Sequence, residues 1–194
     1  MKNLISVLTA LLFMLCTAVS YSQYTNEEKA GLLFTLQEEK AAFDFYTEMF
    51  NKYNKKVFEN IMSAEKTHQD HVLNLLSELN IDPDGYTQSA GEFSNKEVKD
   101  IYELLMKTIP SFSERLICKK RKISDLRKFY SKAENEKIRS LYECLDRASQ
   151  NHLRAFVKNL KREGIDFNPS ILSADEFDLI ISNNDQTGDC FQKK

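Results

Sequence analysis

From Asn26 onward, apolar residues recur every three or four positions in four long runs. The first carries Leu32, Leu36, Phe43, Tyr46 and Phe50, and the second Phe58, Ile61, Val72, Leu75 and Leu79. The third carries Phe112, Leu116, Ile123, Leu126 and Tyr130, and the fourth Ile138, Leu141, Leu145, Ala148 and Ala155. This spacing is the stripe of an amphipathic helix with one face in a core. It predicts helices over about 26–50, 57–79, 111–130 and 133–162. Asn26 is the expected N-cap of the first, with Glu27 and Glu28 in its first turn, and Gly164 ends the last. The short connections N-K-Y-N-K-K and the region near Lys132 make each consecutive pair an antiparallel hairpin. The hairpins are joined by a crossover. It opens on the break N-I-D-P-D-G (80–85), continues as a short helix capped by Ser94 or Asn95 with Val98, Ile101, Leu104 and Leu105 inward, and stops at Pro110.

Each stripe is interrupted at mid-helix by a polar residue. Glu39 fills the gap in the first, Glu65 and His68 the gap in the second, Lys119 that in the third and His152 that in the fourth. Glu39 precedes its turn by about as much as Glu65 and His68 follow it, so these three are expected at one level. Buried carboxylates and imidazoles need a metal, a counter-charge or a hydrogen-bond network. E-x-x-H facing into a bundle is the unit of carboxylate-bridged di-metal proteins. A weak repeat relates the hairpins. His68 is followed twelve residues later by Asn80-Ile81-Asp82 and then Pro83, and His152 at the same distance by Gly164-Ile165-Asp166 and then Pro169. The expected architecture is therefore all-α, a ferritin-like four-helix bundle of two antiparallel hairpins and a crossover.

Composition supports long helices: five Gly, three Pro and 29% charged residues in 194 positions, enough for one domain. The first 22 residues differ. Lys2 is followed by an apolar run from Leu4 to Val19 and by the small-x-small site Ser20-Tyr21-Ser22, the pattern of a secretory signal peptide cleaved after Ser22. The expected division is signal peptide 1–22, helical domain 26–172 and a tail 173–194 with one short helix around 177–181. The protein is expected outside the cytoplasm, periplasmic or secreted, with no integral membrane segment after cleavage. With 27 basic and 29 acidic residues the net charge is −2, and Lys2 is the only charge in the leader. That balance argues against nucleic acid as a partner. Cys118, Cys144 and Cys190 then lie in a compartment that permits disulfides. Cys118 and Cys144 flank the third turn at nearly equal distances, so a bridge between them is geometrically possible; the alternative is two buried thiols.

Three segments carry a likeness: L-Q-E-E-K-A-A-F-D-F-Y (36–46), V-F-E-N-I-M-S-A-E-K-T-H (57–68) and L-Y-E-C-L-D-R-A-S-Q-N-H-L-R-A-F-V (141–157). They resemble the signature blocks of a bacterial ferritin-like family, domain of unknown function 2202, over roughly residues 26–172. The resemblance implies a ferritin-like core and a metal site formed by Glu39, Glu65, His68 and His152; it supplies no activity. On the third helix the family's pattern is I-E-E-x-D-I-x-D-L. Here the chain reads C-K-K-R-K-I-S-D-L (118–126), so Lys119, Lys120 and Lys122 stand where acids are expected.

A full di-metal site needs about four carboxylates and two histidines. Here Ser149 occupies the acid position one turn before His152, and Lys119 occupies the third stripe. What remains suits one divalent zinc, iron or manganese ion held by Glu39, Glu65, His68 and His152. Alternatively Lys119 replaces the ion and pairs with Glu39 and Glu65, and no metal is bound. Two function classes follow: a binding or scaffold module with a degenerate di-metal site, or a mononuclear transition-metal protein. Whether it is an enzyme is open, because no nucleophile or pocket motif accompanies the acids.

Overall fold

The computed structural model describes residues 23–107, 115–162, 164 and 172–183, with the backbone alone over 115–121. Among these residues the secondary structure is helical throughout: α1 (Asn26–Tyr53), α2 (Lys56–Glu78), α3 (Lys96–Lys107), α4 (Arg115–Lys132), α5 (Glu136–Arg162) and α6 (Ala174–Ser182). None of these helices is long and apolar enough to cross a membrane. The leader 1–22, the side chains of Leu116, Cys118 and Lys119, and Phe112 lie outside the described residues.

The two hairpins form as the stripes require. α1 lies along α2 and α4 along α5, while α1 also meets α4 and α2 meets α5, so the four long helices close into a bundle. α3 lies against α1, and α6 against α5. The apolar interior has two parts. One contains Phe45, Tyr46, Phe58, Phe156 and Leu160 and is covered by Phe177 and Ile180 of α6. The other contains Leu36, Val72, Leu76, Leu126, Tyr142 and Leu145. On α1, α2 and α5 the residues between these parts are Glu39, Glu65, His68, Ser149 and His152. A polar layer thus separates two apolar halves.

Several local details differ from the sequence expectation. α1 is capped by Thr25, whose hydroxyl accepts from the Glu28 amide at 3.1 Å while the Glu28 carboxylate accepts from the Thr25 amide at 2.7 Å. This reciprocal pair satisfies two orphan donors and outcompetes Asn26. The other Glu28 oxygen accepts from the amides of Glu134 and Asn135, both at 2.7 Å, and so fastens the α4–α5 turn to the start of α1. α5 begins at Glu136 instead of Ala133, because the Asn135 side chain accepts from the Lys137 and Ile138 amides as its cap. On α3, Leu104 is 61% exposed and does not join the core, which Val98 and Leu105 enter. On the second half of α5 the buried face runs through Ser149, Leu153, Phe156 and Leu160, leaving Ala148 and Ala155 half-buried.

Gly31 permits a close approach between hairpins. A Cβ there would lie 2.8 Å from the Tyr142 hydroxyl and 3.2 Å from the Phe129 ring. Asn80, at φ 55°, turns the chain out of α2, and the Ile81 amide reaches back to the Leu76 carbonyl at 2.8 Å.

Candidate functional site

Glu39 and Glu65 are fully buried, and His68 is 4% exposed. His68 Nδ1 lies 3.3 Å from both Glu39 Oε2 and Glu65 Oε2. His152, from α5, places its Nδ1 3.1 Å from Glu65 Oε1, and its ring stacks on that of His68 with centroids 5.8 Å apart. All four expected site residues therefore meet in the polar layer. Among the described residues, the ammonium in contact with both carboxylates belongs to Lys122, at 2.9 Å from Glu65 Oε2 and also bonded to Glu39 Oε2; the side chain of Lys119, the lysine expected there, lies outside them. Lys122 is 3% exposed and sits on the same face of α4 as Ile123 and Leu126. Its long stem carries the charge inward from the edge of the stripe.

Burial disfavours the imidazolium of His68, but hydrogen bonds and charge from Glu39 and Glu65 outweigh it and raise its pKa above the ordinary value. Burial likewise disfavours the Lys122 ammonium, and the same two carboxylates more than compensate, so Lys122 stays charged. Against Lys122 the two carboxylates leave a negative charge, which favours the protonated form of His68.

In donor type, Glu39, Glu65 and His68 suit a divalent ion, since they offer ligand atoms within 4.8 Å of one another. In charge they do not. The oxygens that converge, Oε2 of Glu39 and Oε2 of Glu65, are the two that Lys122 already holds. A divalent cation about 4 Å from that ammonium meets a repulsion of roughly 8 kcal/mol at an effective dielectric of 20. With Lys122 in place the residues do not fit a metal.

Residues 28–184 match the family described as an uncharacterized protein domain, DUF2202. The chain belongs to this family. It is 35% identical over 169 residues to the uncharacterized protein MJ0754 of Methanocaldococcus jannaschii, a match spanning 84% of this chain and 91% of that protein. The crystal structure of that hypothetical protein aligns with a TM-score of 0.78 at 36% identity, covering 82% of this chain and 94% of the other. This relative is archaeal, so DUF2202 is not confined to bacteria. Neither description assigns an activity.

Other buried polar residues of this DUF2202 chain frame the site. Gln69, 3% exposed, directs its amide nitrogen toward the backbone carbonyls of Glu39 (3.5 Å) and Glu65 (3.4 Å), and its oxygen accepts from the Tyr86 hydroxyl at 2.9 Å. It thereby bridges α1 and α2 at the level of the carboxylates. On α1, Lys40 and Asp44 form a buried pair at 2.6 Å. Lys40 also donates to the Ser89 carbonyl at 2.8 Å and lies 4.3 Å from the centre of the Phe93 ring, while Asp44 accepts from the Gly91 amide at 2.9 Å. Gln37 accepts from the Asn95 amide at 2.9 Å. Together they strap the crossover onto α1. Their spacing, Gln37, Lys40 and Asp44 at i, i+3 and i+7, was the available signal for a second, polar face. Tyr46 lies in the aromatic core, 5.6 Å from Phe156 and 5.2 Å from Phe45 between ring centres. Cys144 is disulfide-bonded.

Proposed function

We propose that this DUF2202 protein is an exported, ferritin-like bundle acting as a binding or scaffold module, with a lysine-centred ion cluster standing where a di-metal protein holds its ions. The observation that carries this reading is the Lys122 ammonium bonded to both Glu39 and Glu65. It supplies the counter-charge that a metal otherwise provides, and Ser149 supplies no second bridging acid. The ferritin-like assignment is supported by two antiparallel hairpins joined by a crossover, with E-x-x-H turned into the bundle. Export is supported by the leader pattern of residues 1–22. Elemental analysis of the mature protein, purified without a metal-affinity tag, tests the central point. No stoichiometric metal is expected. About one zinc, iron or manganese per chain, lost in a Glu65→Ala variant, would overturn the proposal.

A second reading, a mononuclear transition-metal protein using Glu39, Glu65, His68 and His152, is favoured by one observation. Glu39 Oε1 and Ser149 Oγ are buried without a hydrogen-bond partner among the described residues. A cation would satisfy the free carboxylate oxygen, provided Lys122 swings away. The same analysis separates the two readings.

A further inference from the structure

A cleft of about 460 Å³ lies between α6 and the last turns of α5, beyond the polar layer. Its walls are Arg154, Val157, Lys158, Lys161, Arg162 and Ile181. The four cations fall at i, i+4, i+7 and i+8, and therefore share one helical face. Lys158, Lys161 and Arg162 are exposed, and among the described residues no carboxylate pairs with them. Arg154 is partly committed, donating to the Ile180 carbonyl at 3.0 Å, which holds α6 against the cleft. Cations at a helix C-terminus offset its dipole, and this alone would explain a convex solvated face. It does not explain a concavity with Val157 and Ile181 between the charges.

We propose that this cleft docks an acidic peptide segment of a protein partner, one that carries an apolar side chain among its carboxylates. The cations extend over eight residues of helix, about 12 Å, the length of roughly four residues of extended chain. The carboxylates meet the lysine and arginine rim, and the apolar side chain packs on the partly exposed Ile181. A flat anionic membrane surface fits a cleft between two helices poorly. Nucleic acid is disfavoured by the net charge of −2 and by the lack of an aromatic stacking platform in the lining.

The test uses the full mature chain and a fluorescein-labelled hexapeptide of glutamates interrupted by leucines, followed by fluorescence anisotropy at low salt. A matched peptide with serines for leucines, vesicles containing phosphatidylglycerol, and a charge-matched control variant, Lys96→Glu with Lys99→Glu on α3, accompany it. The expected result is saturable binding that falls about tenfold or more in Lys158→Glu with Lys161→Glu, but not in the control variant. Binding should also weaken several-fold with the serine peptide. Both variants alter exposed side chains and should keep the helical circular dichroism of the natural chain. No binding, equal loss in both variants, or equal affinity for the two peptides would overturn the proposal. Vesicle binding that depends on Lys158 and Lys161 when peptide binding does not would also overturn it, in favour of a membrane surface.

Discussion

Replacing Lys122 by methionine removes a charge while keeping most of the side-chain stem, so the cavity left behind is small and the effect is electrostatic. In the natural chain the ammonium is bonded to Oε2 of Glu39 and of Glu65, and both acids are fully buried. Without it the two carboxylates lose the ammonium that bridges them, with His68 and His152 beside them. Removing one partner of a buried ion pair costs about 3–5 kcal/mol, far more than losing a surface pair. For a domain of this size that corresponds to a fall in melting temperature of roughly 6–20 °C. Urea unfolding followed by far-ultraviolet circular dichroism measures the loss. Glu65→Gln and the double variant complete a cycle. Because the two side chains share one network, the double variant should cost about 0.5–3 kcal/mol less than the sum of the singles. A loss below about 1 kcal/mol for Lys122→Met, or additivity in the cycle, would refute the view that Lys122 neutralises the layer.

Glu28 offers a pH test. Burial opposes its ionisation, but amides of Asn135, Thr25 and Glu134 hold its carboxyl below the ordinary value of 4.5. Its stabilising share is therefore fully present above about pH 4.5 and lost as pH falls through the lower folded value. Glu28→Gln should flatten that acid limb and remove roughly 1–3 kcal/mol at neutral pH; parallel stability curves for the two proteins would sink the argument. Gly31→Ala should destabilise. The helix-propensity gain of about 1 kcal/mol is offset by about 1–3 kcal/mol of overpacking against Tyr142 and Phe129, and a raised melting temperature would contradict the close approach. Cys144 is disulfide-bonded, and the near-equal distances of Cys118 and Cys144 from the α4–α5 turn make Cys118 the expected partner. Peptide mapping under non-reducing conditions should recover a 118–144 linkage, whereas a linkage to Cys190 would refute it. Closing that loop contributes about 3.5 kcal/mol in the chain-entropy description, so reduction should lower stability by up to that amount.

Glu39, Glu65, His68 and His152 were legible because each interrupts an apolar stripe at the same height of the bundle. Lys122 was not legible from the stripe. Counting from Leu116 to Ile123 in steps of three and four lands on Lys119, yet the buried face of α4 is wide enough to take in both Lys122 and Ile123. The likeness to the family pattern had flagged Lys122 as standing in an acid's place, which the stripe alone could not do. The shifted face of α5 has a related cause. Repeating the seven-residue step through Ala148 and Ala155 loses the true face over a helix of 27 residues, which continues through Ser149, Leu153, Phe156 and Leu160. Lys40 and Asp44 escaped notice because a charge pair four residues apart ordinarily marks a solvated helix face. Only the crossover folding over α1, which brings Ser89, Gly91 and Phe93 onto the pair, makes it buried.

The most direct test of the central claim is a calorimetric titration of zinc into the metal-free mature chain, beside Lys122→Met and the double variant Lys122→Met with Glu65→Ala. The account predicts no stoichiometric binding to the natural chain. It predicts one zinc per chain in Lys122→Met, where the converging oxygens of Glu39 and Glu65 are released, and loss of that binding in the double variant. Tight binding of one zinc by the natural chain, undiminished relative to Lys122→Met, would contradict it.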